Sequence, residues 1–124
     1  MNPARILIVE DEPEIADNLA ALLTAKGHKV ATCLEGADGV ARARKETFDL
    51  LLLDVMLPRM SGFDVCKLLR ADPKTAKLKI VMVTGLGRMG DVEEAFRAGA
   101  DDYLIKPFDS VRLFKKIEKV MATP

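Results

Sequence analysis

Five residues of this sequence have side chains whose types and positions could do chemistry together: Glu10, Asp11, Asp54, Thr84 and Lys106. Each stands at the end of a short apolar run. Glu10-Asp11-Glu12 follows Arg5–Val9, Asp54 follows Leu50–Leu53, Thr84 follows Ile80–Val83, and Lys106-Pro107 follows Tyr103–Ile105. If the runs are parallel strands of one open sheet, the residues just beyond their carboxyl ends gather on a single rim. Glu10, Asp11 and Asp54 would then bring three negative charges to that rim, and Lys106 would return one positive charge. Carboxylates crowded in this way repel one another and shift their pKa values unless a cation sits among them. A hard divalent ion held by one or two carboxylates, a backbone carbonyl and several waters is the Mg²⁺ pattern. No dense oxygen cage of the EF-hand kind is present to favour Ca²⁺.

Mg²⁺ beside an ammonium and a hydroxyl forms a receptor for phosphoryl oxygens. Metal and Lys106 neutralise developing charge while Thr84 donates a hydrogen bond. Asp54 can serve as the nucleophile, because carboxylates form acyl phosphates. Its carboxylate is ionised near neutral pH and needs no general base.

The elements that must position these groups follow from patterning. The runs Arg5–Val9, Lys29–Cys33, Leu50–Leu53, Ile80–Val83 and Tyr103–Ile105 are near-continuously apolar, as expected of strands covered on both faces. The second ends in Leu34-Glu35-Gly36, which carries little chemistry and suits an edge strand. Between the runs lie helical patterns. Ile15, Leu19, Leu22 and Leu23 share a face, with Lys26-Gly27 as the stop. Val40, Ala41 and Arg44 share a face of the next. Ser61 and Asp64 have capping spacing ahead of Val65, Leu68 and Leu69, and Asp72-Pro73 closes that segment. Asp91 with Glu94 signals a start before Val92, Ala95 and Phe96, with Gly99 as the close. Asp109 can cap a last helix striped by Leu113, Phe114, Ile117 and Val120. Five strand–helix repeats imply right-handed crossovers and an α/β, three-layer αβα sandwich.

The chain has 124 residues, 49% hydrophobic and 31% charged, which fits one domain, residues 1–124, with its own core. Its 19 Lys and Arg balance its 19 Asp and Glu, so no global charge argues for nucleic acid or an anionic membrane. Cys33 and Cys66 have no metal or redox spacing and read as free thiols of a reducing compartment. The MNPAR start lacks a signal-peptide layout, and no apolar run is long enough to span a bilayer, so a cytoplasmic location is expected. His28 falls at the entrance of the second strand, opposite the rim, and reads as a packing residue.

The motifs VEDE around Glu10 and Asp11, LLLDVMLPRMSG around Asp54, VTG at Thr84 and GADDYLIKPF around Lys106 closely resemble the receiver domain of two-component response regulators. The resemblance spans essentially the whole chain. It implies a flavodoxin-like (βα)5 fold with strand order 2-1-3-4-5 and a phosphorylation-controlled switch with Asp54 as phosphoacceptor. It also implies that Asp11, Asp54 and the Met56 carbonyl ligate Mg²⁺, that Glu10 acts largely through water, and that Thr84 and Lys106 hold the phosphoryl group. Tyr103 matches the aromatic whose rotamer follows Thr84, and Pro107 matches a proline usually preceded by a cis bond, here Lys106–Pro107. The donor would be a phosphohistidine on a sensor kinase or phosphotransfer protein. Output would pass through the surface of the fourth helix, fifth strand and fifth helix to a partner or downstream effector domain. Apart from its own phosphorylation and slow dephosphorylation, no enzymatic activity is expected.

Departures from the family pattern carry expectations of their own. Met56 and Leu86, both apolar, stand where the family varies water access, so a slow loss of phosphate is expected. Gly85, Gly87 and Gly90 suggest a loop that rearranges on phosphorylation. GADDYLIKPF is similar to the subfamily bearing a winged-helix DNA-binding domain. There Val92 and Arg112 replace an Arg and a Glu that usually pair across a dimer, which argues against that dimer. The sequence shows no basic recognition helix, so direct binding to nucleic acid is not expected. A flavin site is disfavoured because Glu10-Asp11-Glu12 would repel phosphate without a metal. An unphosphorylated, degenerate receiver is disfavoured because Asp11, Asp54, Thr84 and Lys106 are all present.

Overall fold

A computed structural model describes residues 2–85 and 89–123. Strands and helices alternate in the order β1 Arg5–Val9, α1 Pro13–Ala25, β2 Lys29–Cys33, α2 Gly36–Lys45, β3 Leu50–Asp54, α3 Gly62–Ala71, β4 Lys79–Gly85, α4 Met89–Ala98, β5 Asp102–Lys106 and α5 Ser110–Ala122. All strand pairs are parallel, and the sheet runs β2-β1-β3-β4-β5. This is the flavodoxin-like (βα)5 sandwich. β2 is an edge strand, as its sparse carboxyl end suggested, and β5 is the other edge.

Successive side chains of a strand point to opposite faces, and each face has its own core. Leu7, Val9, Leu51, Leu53, Ile80 and Met82 pack with Val40, Val65, Leu69 and Ala95 from α2, α3 and α4. Ile6, Ile8, Leu50, Leu52 and Val81 pack with Leu19, Leu23, Leu113 and Ile117 from α1 and α5. The central strands β1, β3 and β4 are therefore covered on both sides, which is why their inner positions are apolar in succession rather than alternately, whereas no residue of the edge strand β2 is fully buried.

Ser61 caps α3 by accepting the Asp64 N–H, and Asp109 caps α5 by accepting the Arg112 N–H. Three strands extend beyond their apolar runs: β3 includes Asp54, β4 includes Thr84 and Gly85, and β5 includes Lys106. Those chemical residues are therefore held by the strand ladders, not by loops. Helix faces depart from the sequence pattern in several places. Ala41 and Arg44 are exposed, because α2 packs through Gly36, Gly39, Val40 and Ala43. A Cβ on Gly39 would lie 2.6 Å from the Val9 side chain, so this helix lies too close to the sheet for anything larger. Leu22, Leu68 and Phe96 are also exposed, each at the margin of a stripe whose centre is covered. α4 begins at Met89, ahead of the Asp91 start signal.

Cys33 and Cys66 are free, and burial pushes the Cys66 thiol up to about 11. His28 is buried, and its Nδ1 accepts the Ala4 N–H at 3.0 Å, tying the start of β1 to β2. Only a neutral imidazole can accept there, and burial lowers the His28 pKa below 6.5. The unfolded chain therefore takes up a proton before the folded one does. The contribution of His28 to stability is fully present above pH 6.5 and is lost as pH falls below it. Urea titrations across that window should show a flatter pH dependence in His28→Gln than in the wild type. Equal slopes would refute the assignment.

Candidate functional site

The rim at the carboxyl ends of the strands is assembled from the ends of four parallel strands and one turn. β1 delivers Glu10, whose N–H donates to the Cys33 carbonyl at 3.1 Å. The Glu10 side chain turns inward and is 3% exposed, with Oε2 accepting the Glu12 N–H at 3.3 Å. β3 delivers Asp54, 6% exposed, whose Oδ1 accepts the Met56 N–H at 3.3 Å. β5 delivers Lys106, whose Nζ lies 3.1 Å from Glu10 Oε1 and 3.5 Å from Asp54 Oδ2. Asp11 completes the group: oxygens of Glu10, Asp11 and Asp54 lie within 4.8 Å of one another.

Three carboxylates and one ammonium leave excess negative charge in a mostly buried place. At an effective dielectric near 20, two unit charges 4.8 Å apart interact by roughly 3.5 kcal/mol, less where Asp11 meets solvent. The strain shows in the titration of Asp11, whose pKa is raised by burial and then by the neighbouring Glu10 carboxyl. Burial alone would lower the Lys106 pKa, but the Asp54 and Glu10 carboxylates outweigh it and the net shift is upward. Lys106 thus stays cationic. An oxygen-only donor set with surplus charge fits a hard divalent cation such as Mg²⁺.

Thr84 belongs to β4, between Val83, the register partner of Asp54, and Gly85, the partner of Lys106. Its hydroxyl is buried and has no hydrogen-bond partner among the described residues. Such an orphaned group costs about 1–3 kcal/mol, which a phosphoryl oxygen accepting its proton would recover. Met56 lies on the loop after β3 and is 58% exposed. Tyr103 stands apart from the acidic cluster. Its ring meets Phe96 edge-on at 5.9 Å, with the Lys116 ammonium 5.1 Å from its centroid. The Lys106–Pro107 peptide bond is cis. Leu86 and Gly87, and with them the centre of the glycine loop, lie outside the described residues. A groove of about 590 Å³ lies at the opposite end of the sheet around Arg44–Asp49 and Pro73–Leu78, and none of these residues belongs to it.

Two supports of the site were not recognised from the sequence. Gly62, the first residue of α3, lies against the end of β3: a Cβ there would overlap the Asp54 carbonyl and come within 2.9 Å of Val55 Cα and Met82 Cε. Its N–H donates to the Val55 carbonyl at 3.0 Å, closing the loop that carries Met56. Arg59, with φ 67°, reverses that loop and pairs with Glu35 ahead of α2. The Ser-Gly pair after Met60 hinted at a helix start, but close approach to Asp54 is visible only in three dimensions. Gly62→Ala should cost roughly 1–3 kcal/mol in urea and slow any reaction of Asp54 in the folded protein. Wild-type values for both would mean the contact is slack.

The model of the response regulator receiver domain matches residues 6–118. The chain belongs to this family of phosphorylation-controlled signalling switches. Protein PilH of Pseudomonas aeruginosa is 40% identical over 96% of the chain and 98% of its own length. A solved structure from Chloroflexus aurantiacus J-10-fl has a TM-score of 0.94 at 34% identity, covering 98% of this chain and all of that one. The receiver domain of sensor histidine kinase PA1611 from Pseudomonas aeruginosa PAO1, with a magnesium ion coordinated in its active-site cleft, has a TM-score of 0.90 at 29% identity, over 98% of this receiver and all of that chain. Some other curated relatives are longer, and the receiver spans 48% of one and 26% of another. No described helix is long and apolar enough to cross a membrane.

Proposed function

We propose that residues 1–124 form one receiver that takes a phosphoryl group on Asp54 from a phosphohistidine of a sensor kinase or phosphotransfer protein in the cytoplasm. The observation that carries this reading is the convergence of Asp54, the Lys106 ammonium and the Thr84 hydroxyl, unpartnered among the described residues, beside two further carboxylates. A carboxylate oxygen of Asp54 attacks phosphorus, the bond from phosphorus to the donor imidazole breaks, and an acyl phosphate forms. Lys106 exchanges its contacts with Glu10 and Asp54 for a phosphoryl oxygen, and the Thr84 hydroxyl donates to another.

Asp11, Asp54 and the Met56 carbonyl would hold Mg²⁺, with Glu10 acting through water. When bound, the ion supplies neutralising charge to the phosphoryl oxygens. Tyr103 follows Thr84 and alters the α4–β5–α5 surface, through which an output partner or effector domain is controlled. Exposed Met56 is an apolar guard against hydrolytic water. Beyond forming and slowly losing its own acyl phosphate, the domain performs no catalysis.

Acetyl phosphate with Mg²⁺ should add one phosphate to the intact mass, and chelation should prevent it. A chain that gains no mass with the metal present would overturn the reading.

A further inference from the structure

The loop from Val55 to Ser61 carries Met56 past Asp54 and turns back sharply at Arg59. The Met60 N–H donates to the Pro58 carbonyl at 2.7 Å, which makes a tight turn with Arg59 at its centre. Its φ of 67° is that of the strained form of such a turn, and Arg59 is the one non-glycine residue of positive φ among the described residues. Side chains other than glycine's meet a steric penalty in this conformation, so neighbouring structure must hold it there. The turn between β2 and α2 supplies that hold. Glu35 stands at the N-cap of α2, yet its side chain caps no helix N–H. Its Oε1 instead accepts from Arg59 Nη1. Directly beside it, a Cβ on Gly36 would lie 3.1 Å from the Met60 carbonyl and 2.8 Å from Val65 Cγ2. The strained turn is therefore seated against the start of α2 by one contact of charge and one of shape.

We propose that the Glu35–Arg59 pair is a latch that sets the affinity for Mg²⁺, its two members being positioning residues although neither belongs to the acidic cluster. The inference rests on the proposed function, in which Met56 supplies a metal ligand. The near end of the same loop is already fixed at the site. The Met56 N–H donates to Asp54 Oδ1 at 3.3 Å, and the Gly62 N–H closes on the Val55 carbonyl at 3.0 Å. Released from Glu35, the turn at Arg59 relaxes toward ordinary backbone, and Met56 is no longer held in one place. A metal that binds only the seated loop then loses affinity in proportion to the fraction of molecules that stay seated. The usual worth of an exposed ion pair converts to roughly a threefold change in that fraction. The β2–α2 turn, which offers no chemical group to the rim, thereby becomes part of the metal-binding apparatus.

The test is a Mg²⁺ titration of the isotopically labelled full chain, followed by NMR at the Asp11 and Met56 amides. It is run on the wild type, Glu35→Gln, Arg59→Gln and the double variant. The double variant should bind Mg²⁺ about threefold more weakly than the wild type. It is the deciding protein because its two lost charges cancel at a distance. Charge alone would tighten binding in Arg59→Gln, loosen it in Glu35→Gln and return the double variant to the wild-type value. Without metal, the Gly62 amide should exchange faster in the double variant while the Leu52 amide at the centre of the sheet keeps its protection. A general loss of stability would not separate the two. Wild-type amides unmoved by Mg²⁺ would overturn the proposed function and the latch with it. A wild type that responds beside a double variant of equal affinity, or unchanged exchange at Gly62, would sink the latch alone and leave Asp54 as the phosphoacceptor.

Discussion

Asp54→Asn should remove the Mg²⁺-dependent phosphate adduct completely while leaving the fold intact. Asparagine keeps the shape of the side chain and an oxygen able to accept the Met56 N–H, which lies 3.3 Å from Asp54 Oδ1. It loses the anionic nucleophile, and a neutral amide oxygen does not form a stable phosphoryl ester under these conditions. The substitution also takes one negative charge from a group whose oxygens lie within 4.8 Å of one another. In the absence of metal, relief of that repulsion offsets the weakened contact with Lys106, so the urea midpoint should be no lower than the wild type's. The stabilisation gained on adding Mg²⁺ should shrink, because binding to the native state alone raises stability by mass action and one ligand has been neutralised. Intact mass and urea unfolding with and without Mg²⁺ read all three effects. A persistent adduct would place the acceptor elsewhere, and an unchanged Mg²⁺ effect would remove Asp54 from the metal site.

The second large effect is expected far from the chemistry. Arg70, in the last turn of α3, donates from Nε to the Gly99 carbonyl at 2.8 Å and from one terminal nitrogen to the carbonyls of Ala76 at 3.0 Å and Leu78 at 2.6 Å. Its other nitrogen meets Asp101 Oδ2 at 2.9 Å, and the same oxygen accepts the Ile80 N–H at 2.8 Å. One guanidinium thus joins α3, the entrance of β4 and the turn from α4 into β5. Arg70→Ala should destabilise the fold by roughly 2–4 kcal/mol, less than the sum of four charge-assisted bonds because the freed carbonyls partly hydrate. Arg70→Lys should recover little, since one ammonium cannot reproduce a planar fork. Urea unfolding checks both variants, and the Ile80 amide should lose hydrogen-exchange protection. A loss below about 1 kcal/mol would show that the clamp is ornamental.

Much of this architecture can be read from local pattern. The central strands β1, β3 and β4 lie on their apolar runs because burial on both faces leaves no polar position in the interiors of those runs. The caps at Ser61 and Asp109 are legible because a cap is satisfied within one turn. Helix faces are less legible. Leu22 and Leu68 have the spacing of core residues and lie exposed, whereas Gly39 carries no apolar signal and touches the sheet. A stripe indicates which side of a helix turns inward, but the distance between helix and sheet decides which of its margins are covered.

Local pattern carried the order of the elements, the parallel sheet, and the presence of three acids, a hydroxyl and a lysine at strand ends. It did so because apolar periodicity and chain direction are local properties. Packing in three dimensions set Lys106 nearer Glu10, at 3.1 Å, than Asp54, at 3.5 Å, left the Thr84 hydroxyl without a partner among the described residues, required Gly62 to be bare, and let Arg70 span three elements. Each of these depends on residues distant in the chain, and fractions of an ångström separate contact from overlap. No spacing along a sequence carries that information, because it arises only when the packed layers settle at one separation.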